Sequence, residues 1–270
     1  MKMVAAAKLR RAQTRLVQAR PYAAKMNELL NNVVGLIEGE PHFLFQKKEE
    51  VKTAEFLVFT TDRGLCGGFN GNLLRRIEIF LKEKSVTCPN IVINTVGKKG
   101  RDFFNSHHRE LKDILTGVPE IYPFEEALKM AEGLIEGYQA GRFDEFYIVY
   151  NFFRSAISQE IRIEKILPFE KLEKAAVPQE TYIPEYLYEP SRQSVLEKLI
   201  PRTLALLIRR AFLETVAGEY GARMVAMDNA TSNCVDMNYR LTLQMNRIRQ
   251  AAITKELMDI VNGAESQKKQ

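Results

Sequence analysis

The segment TDRGLCGGFNG at residues 61–71 is where the chain comes nearest to a chemical signature. A glycine-rich turn between a strand and a helix can cradle phosphate, because backbone N–H groups approach the anion and the helix N-terminus favours negative charge. The spacing argues against it. A GxGxxG pattern from Gly64 needs glycine where Cys66 and Phe69 stand, and GxxxxGK[ST] occurs nowhere. Asp62, Arg63 and the glycines then read as a tight turn on which a helix and a strand pack closely. Cys66 reads as a small packed residue, with a reactive thiol near a helix start as the alternative. His42 is isolated, and the His107–His108 pair has no cysteine or glutamate motif beside it. Cys66, Cys88 and Cys234 are far apart and odd in number, which yields neither a disulfide framework nor a zinc site. The residues therefore predict no catalytic, cofactor-binding or metal site.

A second chemical feature is charge. The net charge is only +5, yet residues 1–27 carry Lys2, Lys8, Arg10, Arg11, Arg15, Arg20 and Lys25 and no acid. Such an end seeks an acidic surface, whether DNA, an anionic membrane face or acidic loops on a protein, and a plain solvated helix face remains the alternative. No run of about 18 apolar residues is present to span a bilayer, and the start lacks the apolar core of a secretory signal.

The elements that would carry these features are two long terminal helices around an α/β domain. Ala5, Leu9, Ala12, Leu16, Ala19, Ala23, Met26, Leu30, Val33 and Ile37 succeed one another in steps of four and three. That is a heptad seam, rich enough in alanine for close approach of a partner helix. Pro21 costs roughly 3 kcal/mol in a helix interior and predicts a bend. At the other end, Ser194 to Glu197 has the form of a capping box, and Pro201 suits a first turn. A second seam follows through Tyr220, Met224, Met227, Thr231, Cys234, Asn238, Leu241, Met245, Ile248 and Ala252. Its phase then slips by one to Ile253, Leu257, Ile260 and Ala264, a stutter. The second helix outruns the first by some two dozen residues, or about 36 Å. Its apolar tip predicts a protein socket or oligomerisation, since burying each of Ile253, Leu257, Ile260 and Val261 is worth about 1.5 to 3 kcal/mol.

Between the helices, 55–61, 90–96, 145–153 and 158–167 read as strands, the last two as an antiparallel pair. Residues 68–84, 98–110 and 124–140 read as helices, giving a Rossmann-like α/β domain of about five strands. The expected division is 1–50 for the N-terminal coiled-coil helix and connection, 51–170 for the α/β domain, 171–200 for a linker and short helix, and 201–270 for the C-terminal helix and tip.

Five stretches, in order, resemble one family: MVAAAKLRRAQ (3–13), ARPYAAKM (19–26), TTDRGLCGGFN (60–70), ISQEIRIEKILP (157–168), and GARMVAMDNAT with LTLQMNRIRQAAITKEL (221–257). The family is the gamma subunit of bacterial F-type ATP synthases. The resemblance implies an antiparallel coiled-coil shaft inside a ring of alternating alpha and beta subunits, with the α/β domain as its foot beside epsilon and on the c-ring. It implies a non-catalytic subunit, peripheral on the cytoplasmic face of the cell membrane, that couples proton flow to ATP synthesis or hydrolysis. Arg249 and Gln250 match the pair that in the family holds a beta-subunit loop, the catch; Thr254 and Glu256 share that segment. Arg223 matches a coupling arginine lower on the shaft. Lys2 and its basic neighbours Lys8, Arg10 and Arg11 match the stretch passing acidic loops of beta. Family members usually begin with about twenty further helical residues before the position matching Met1, and Met245 and Lys255 replace an expected aromatic and amide.

Two readings from other classes stand beside this one. A basic coiled-coil nucleic-acid binder would explain the charge of residues 1–27, although no helix-turn-helix, zinc finger or aromatic-basic motif accompanies it. A nucleotide-dependent enzyme on the α/β domain would use the 61–71 turn.

Overall fold

A computed structural model describes residues 1–35, 42–46, 48, 50–169, 189 and 191–268. Ile37 of the first seam and most of the 171–200 linker lie outside the described residues. Two units result, Met1–Val225 and Ala226–Gln270.

The first unit is a doubly wound α/β domain carrying helices from both ends of the chain. Its sheet comprises β1 (Thr53–Phe59), β2 (Asn90–Val96), β3 (Leu111–Leu115), β4 (Glu145–Phe153) and β5 (Gln159–Leu167), in the order β3-β2-β1-β4-β5. All neighbours are parallel except β4 and β5. β1 and β4 are buried along nearly their whole length, as expected of central strands covered on both faces. β3 carries only five residues, of which Lys112, Asp113 and Ile114 are exposed. A half-polar edge strand of that length gives no periodic signal, and the sequence reading assigned 111–115 to no element while extending the preceding helix, which ends at Ser106, to 110.

Alternation along the strands separates two cores. Phe56, Val58, Tyr147 and Val149 face α2 (Phe69–Thr87) and α3 (Lys98–Ser106) through Leu73, Ile77, Leu81 and Phe104. Leu57, Phe59, Phe146, Ile148 and Tyr150 face α4 (Phe124–Gln139) and the terminal helices α1 (Lys2–Gly35) and α5 (Arg192–Lys268). Tyr150 lies deep in this second core, and burial pushes its hydroxyl up to about 12.

α1 continues through Pro21, and its seam is the buried face: Ala5, Leu9, Ala12, Leu16, Ala23, Met26 and Leu30 are all buried. Their partners lie on α5, where Leu204, Ala205, Ile208, Ala211, Phe212, Leu213, Val216 and Ala217 join the same core. The helices run antiparallel, since Lys8 meets Tyr220 whereas Arg20 meets Glu214. The seam expected from Tyr220 to Ala252 is thus buried at Tyr220 and partly at Met224 and Met227 only. α1 packs instead on Leu204, Ala205, Ile208, Ala211, Phe212, Leu213, Val216 and Ala217, which the heptad reading did not single out. The start of α5 also differs from the reading. Ser191 is the cap, its Oγ accepting the N–H of Ser194 at 3.2 Å, and Pro201 lies inside the helix.

The second unit is the remainder of α5. Leu241, Met245, Ile248, Ile253, Leu257 and Ile260 are each more than half exposed in this chain, so its apolar stripe is uncovered. No helix among the described residues is long and apolar enough to cross a membrane.

Candidate functional site

The carboxyl ends of β1 and β4, where strand order reverses, mark the crevice in which open α/β sheets bind ligands. Here the 61–71 turn rises from β1 into α2, and its polar groups are spent on neighbouring elements. Asp62 accepts the N–H of Lys98 at 2.9 Å through one oxygen and that of Gly117 at 2.8 Å through the other. Lys99 donates its N–H to the Thr61 carbonyl, and Gly100 donates to the Thr60 hydroxyl at 2.9 Å. The first three amides of α3 therefore belong to this turn. Asn70 closes it by accepting from the N–H of Thr61 at 3.1 Å and donating to its hydroxyl at 2.8 Å. Cys66 is buried, and burial pushes its thiol up, which keeps it protonated and inert.

What lies against the turn is α5. Arg223 donates through Nη2 to the Gly64 carbonyl at 3.1 Å and to Glu219 at 2.6 Å, and its side chain is only 13% exposed. Gly218 leaves room for the Phe69 ring, which would sit 2.8 Å from an added Cβ. Gly221 does the same for the backbone of Ala156, at 3.0 Å. The crevice that could hold a nucleotide is packed with helix.

Two further joints bind the terminal helices to this edge of the sheet. Lys8 and the Tyr220 hydroxyl both donate to Glu120, in the loop after β3, with the tyrosine at 2.6 Å. Arg20 donates to Glu214 through Nε at 3.0 Å and Nη2 at 2.9 Å. Sequence reasoning missed Glu120, Arg20 and Glu214 as partners. Glu214 carried a signal, being the one acid in the mostly apolar stretch 203–217, which demands a charged or hydrogen-bonding partner if it is buried.

These joints change the picture of the basic end. Lys8 is engaged by Glu120, Arg20 by Glu214 and Lys25 by Glu28, so much of its charge is answered within the chain. Of the residues expected to meet acidic loops, Lys2, Arg10 and Arg11 are exposed on α1, and Lys8, partly exposed, is paired with Glu120.

The hydrogen bond to Lys8 lowers the Glu120 carboxyl below its ordinary 4.5, and the bond to Glu120 raises the Lys8 ammonium above its ordinary 10.5. Their joint stabilisation is present between those two values. It is lost as pH falls through the depressed Glu120 value and as pH rises through the elevated Lys8 value. Glu120→Gln is expected to lower the melting temperature near pH 7, with the gap to wild type closing at the acid end of a pH series. A gap that persists undiminished at pH values well below 4.5 would contradict the joint.

On the second unit, Arg249, Gln250, Thr254 and Glu256 are all exposed, and the Thr254 hydroxyl donates to the Gln250 carbonyl at 2.9 Å. At about 100° per residue, these four share an arc of roughly 160° with Ile253, Leu257, Ile260 and Val261. Ala251, Ala252, Lys255, Met258 and Asp259 take the other side. Arg223 is not among them, for it belongs to the turn in the first unit.

Comparison with known proteins adds identity to this geometry. A family model described as ATP synthase matches residues 1–266. The ATP synthase gamma chain of Trichlorobacter lovleyi is 46% identical over 266 residues, covering 98% of this chain and 91% of that one. The gamma chain of Syntrophobacter fumaroxidans is 41% identical over 270 residues, covering 100% of this chain and 92% of that one. Among solved structures, a chain of the Tetrahymena thermophila mitochondrial ATP synthase central stalk and c-ring shares the fold with a TM-score of 0.65 at 23% identity, covering 86% of this chain and 97% of that one. A chain of the Euglena gracilis mitochondrial assembly of OSCP, F1 and c-ring gives 0.60 at 20% identity, covering 98% and 94%.

Proposed function

The chain belongs to the ATP synthase gamma chain family, and on that premise we propose that it is the central-stalk subunit, a rotating shaft that couples proton flow through a membrane c-ring to ATP synthesis or hydrolysis in an alpha/beta ring. The single observation that carries this reading is the division of labour along α5. One stretch is anchored on three sides in the α/β domain, and the rest leaves an apolar stripe with an Arg-Gln pair exposed. A stripe of this kind calls for a socket.

The mechanism follows from asymmetry. A rod with charged, amide and apolar groups on one arc presents different chemistry to three equivalent beta subunits at any moment. Each angular position then favours a different conformation of each, and by reciprocity nucleotide exchange pushes back on the rod. Arg249 and Gln250, with Thr254 and Glu256, are the contacts proposed to a beta loop. A planar guanidinium suits carboxylates that must be gripped and released. Lys2, Arg10 and Arg11 are proposed to pass acidic loops of beta. Arg223 acts from inside, holding the 61–71 turn in place. The α/β domain, 51–170, would be the foot beside epsilon and on the c-ring. A non-catalytic subunit is supported by the filled crevice at the sheet's carboxyl edge. Peripheral attachment on the cytoplasmic face of a bacterial membrane follows from membership of such a complex.

Purification of the tagged chain from its native cells tests the proposal. Alpha and beta subunits should accompany it, with ATPase activity in the complex and none in the isolated chain. Recovery without them, or stoichiometric nucleotide binding by the chain alone, would refute it. Duplex DNA binding that weakens steeply with salt would favour the nucleic-acid reading instead.

A further inference from the structure

The joint between Arg20, Glu214 and Phe153 has a construction that packing alone does not need. Glu214 is fully buried, and its carboxylate accepts three donors: Arg20 Nε, Arg20 Nη2 and the Phe153 N–H at 2.9 Å. Arg20 Nη2 also donates to the Phe153 carbonyl at 2.8 Å, and its guanidinium lies over the Phe152 ring at 4.9 Å. Both polar groups of one residue at the end of β4 are thus held, the N–H by α5 and the carbonyl by α1. Three elements meet at a single residue.

Apolar contact between the helices and the sheet is non-directional and tolerates sliding or rotation of one against another. A planar fork closed on a carboxylate and a peptide has one register. Burying the Glu214 carboxylate is costly, and a pair whose arginine side chain stays 38% exposed contributes little net stability compared with apolar residues, so its use here points to specificity of geometry. We propose that Arg20 and Glu214 are positioning residues that fix the angle of both terminal helices to the sheet and so carry torque between foot and shaft. The proposal rests on the central-stalk reading. The joint touches none of the surfaces offered to the ring.

The test uses the assembled complex in inverted membrane vesicles, with Arg20→Lys, which keeps the charge but cannot form the fork, and Glu214→Gln, which keeps the volume but not the charge. Amide exchange at Phe153 in the purified complex should accelerate roughly tenfold, as loss of a charge-assisted bond implies. ATP hydrolysis should stay within about twofold of wild type while protons pumped per ATP fall about fivefold, because a loosened joint dissipates rotation rather than preventing it. Faster exchange with an unchanged ratio of pumping to hydrolysis would make the joint merely structural and overturn the torque role. So would hydrolysis falling in step with pumping, or failure of both variants to assemble. Unchanged exchange would overturn the joint itself. Wild-type vesicles that hydrolyse ATP by this complex without pumping would instead refute the central-stalk reading.

Discussion

Removal of residues 250–270 is expected to cut ATP synthesis by membranes at least tenfold while leaving the complex assembled. The deleted stretch carries Gln250, Thr254, Glu256 and the apolar side chains of Ile253, Leu257, Ile260 and Val261, all exposed in the chain alone. Burying each of those apolar groups in a socket is worth about 1.5 to 3 kcal/mol. Only the part that differs between ring conformations drives coupling, and a difference of about 1.4 kcal/mol already changes an equilibrium tenfold. The first unit keeps its sheet and its joints, since none of them involves residues past Arg223, so assembly through the foot should persist. Single substitutions sharpen the test. Arg249→Ala should reproduce part of the loss, whereas Lys255→Ala, on the opposite arc, should stay near wild type. Synthesis at the wild-type rate in the truncated complex would remove the role given to the tip.

Gly97→Ala should be the most damaging single methyl group in the α/β domain. Gly97 ends β2 with φ 97° and ψ 147°, a conformation that only glycine adopts without strain. An added Cβ would lie 2.5 Å from the carbonyl oxygen of Thr60 and 2.7 Å from its carbon, both backbone atoms at the end of a central strand. Neither can swing away. A cost of about 3 kcal/mol or more follows, which for a domain of this size lowers the melting temperature by about 6 to 12 °C. Loss would spread to the shaft, because this approach brings Asp62 to the start of α3 and fixes the turn that Arg223 grips. Gly71→Ala is the control: it lies inside α2 with nothing within 4 Å of the added Cβ, and it should melt at or slightly above wild type. Melting of Gly97→Ala within about 2 °C of wild type, read by circular dichroism, would mean that the β2–α3 turn is not built this way.

Much of the architecture was legible in the residues, for definite reasons. β2 and β4 have the bounds the sequence implied because each is a dense apolar run closed by turn residues, and the α1 seam buries the face its heptads marked. Long regular periods survive tertiary context because every member of the pattern reports the same face. The 61–71 segment, whose glycine spacing is wrong for phosphate, forms a turn tied to neighbouring elements by Asp62, Thr61 and Asn70. The comparisons support the family that five short stretches resembled. The edge strand β3, the cap at Ser191 and the place of Pro201 inside α5 were not legible. Each depends on a partner or on a few atoms, and none leaves a period.

The sequence by itself therefore determined the two terminal helices, the central strands and the apolar stripe of the tip, because those follow from local propensity and from how apolar residues repeat. Only the tertiary structure decided which charges are spent inside the chain. Lys8 and Arg20 look alike in a basic, acid-free stretch, yet Glu120 and Glu214, 112 and 194 residues away, claim them. An ion pair has no sequence period. Its partners are chosen by which elements the fold brings within a hydrogen bond of each other.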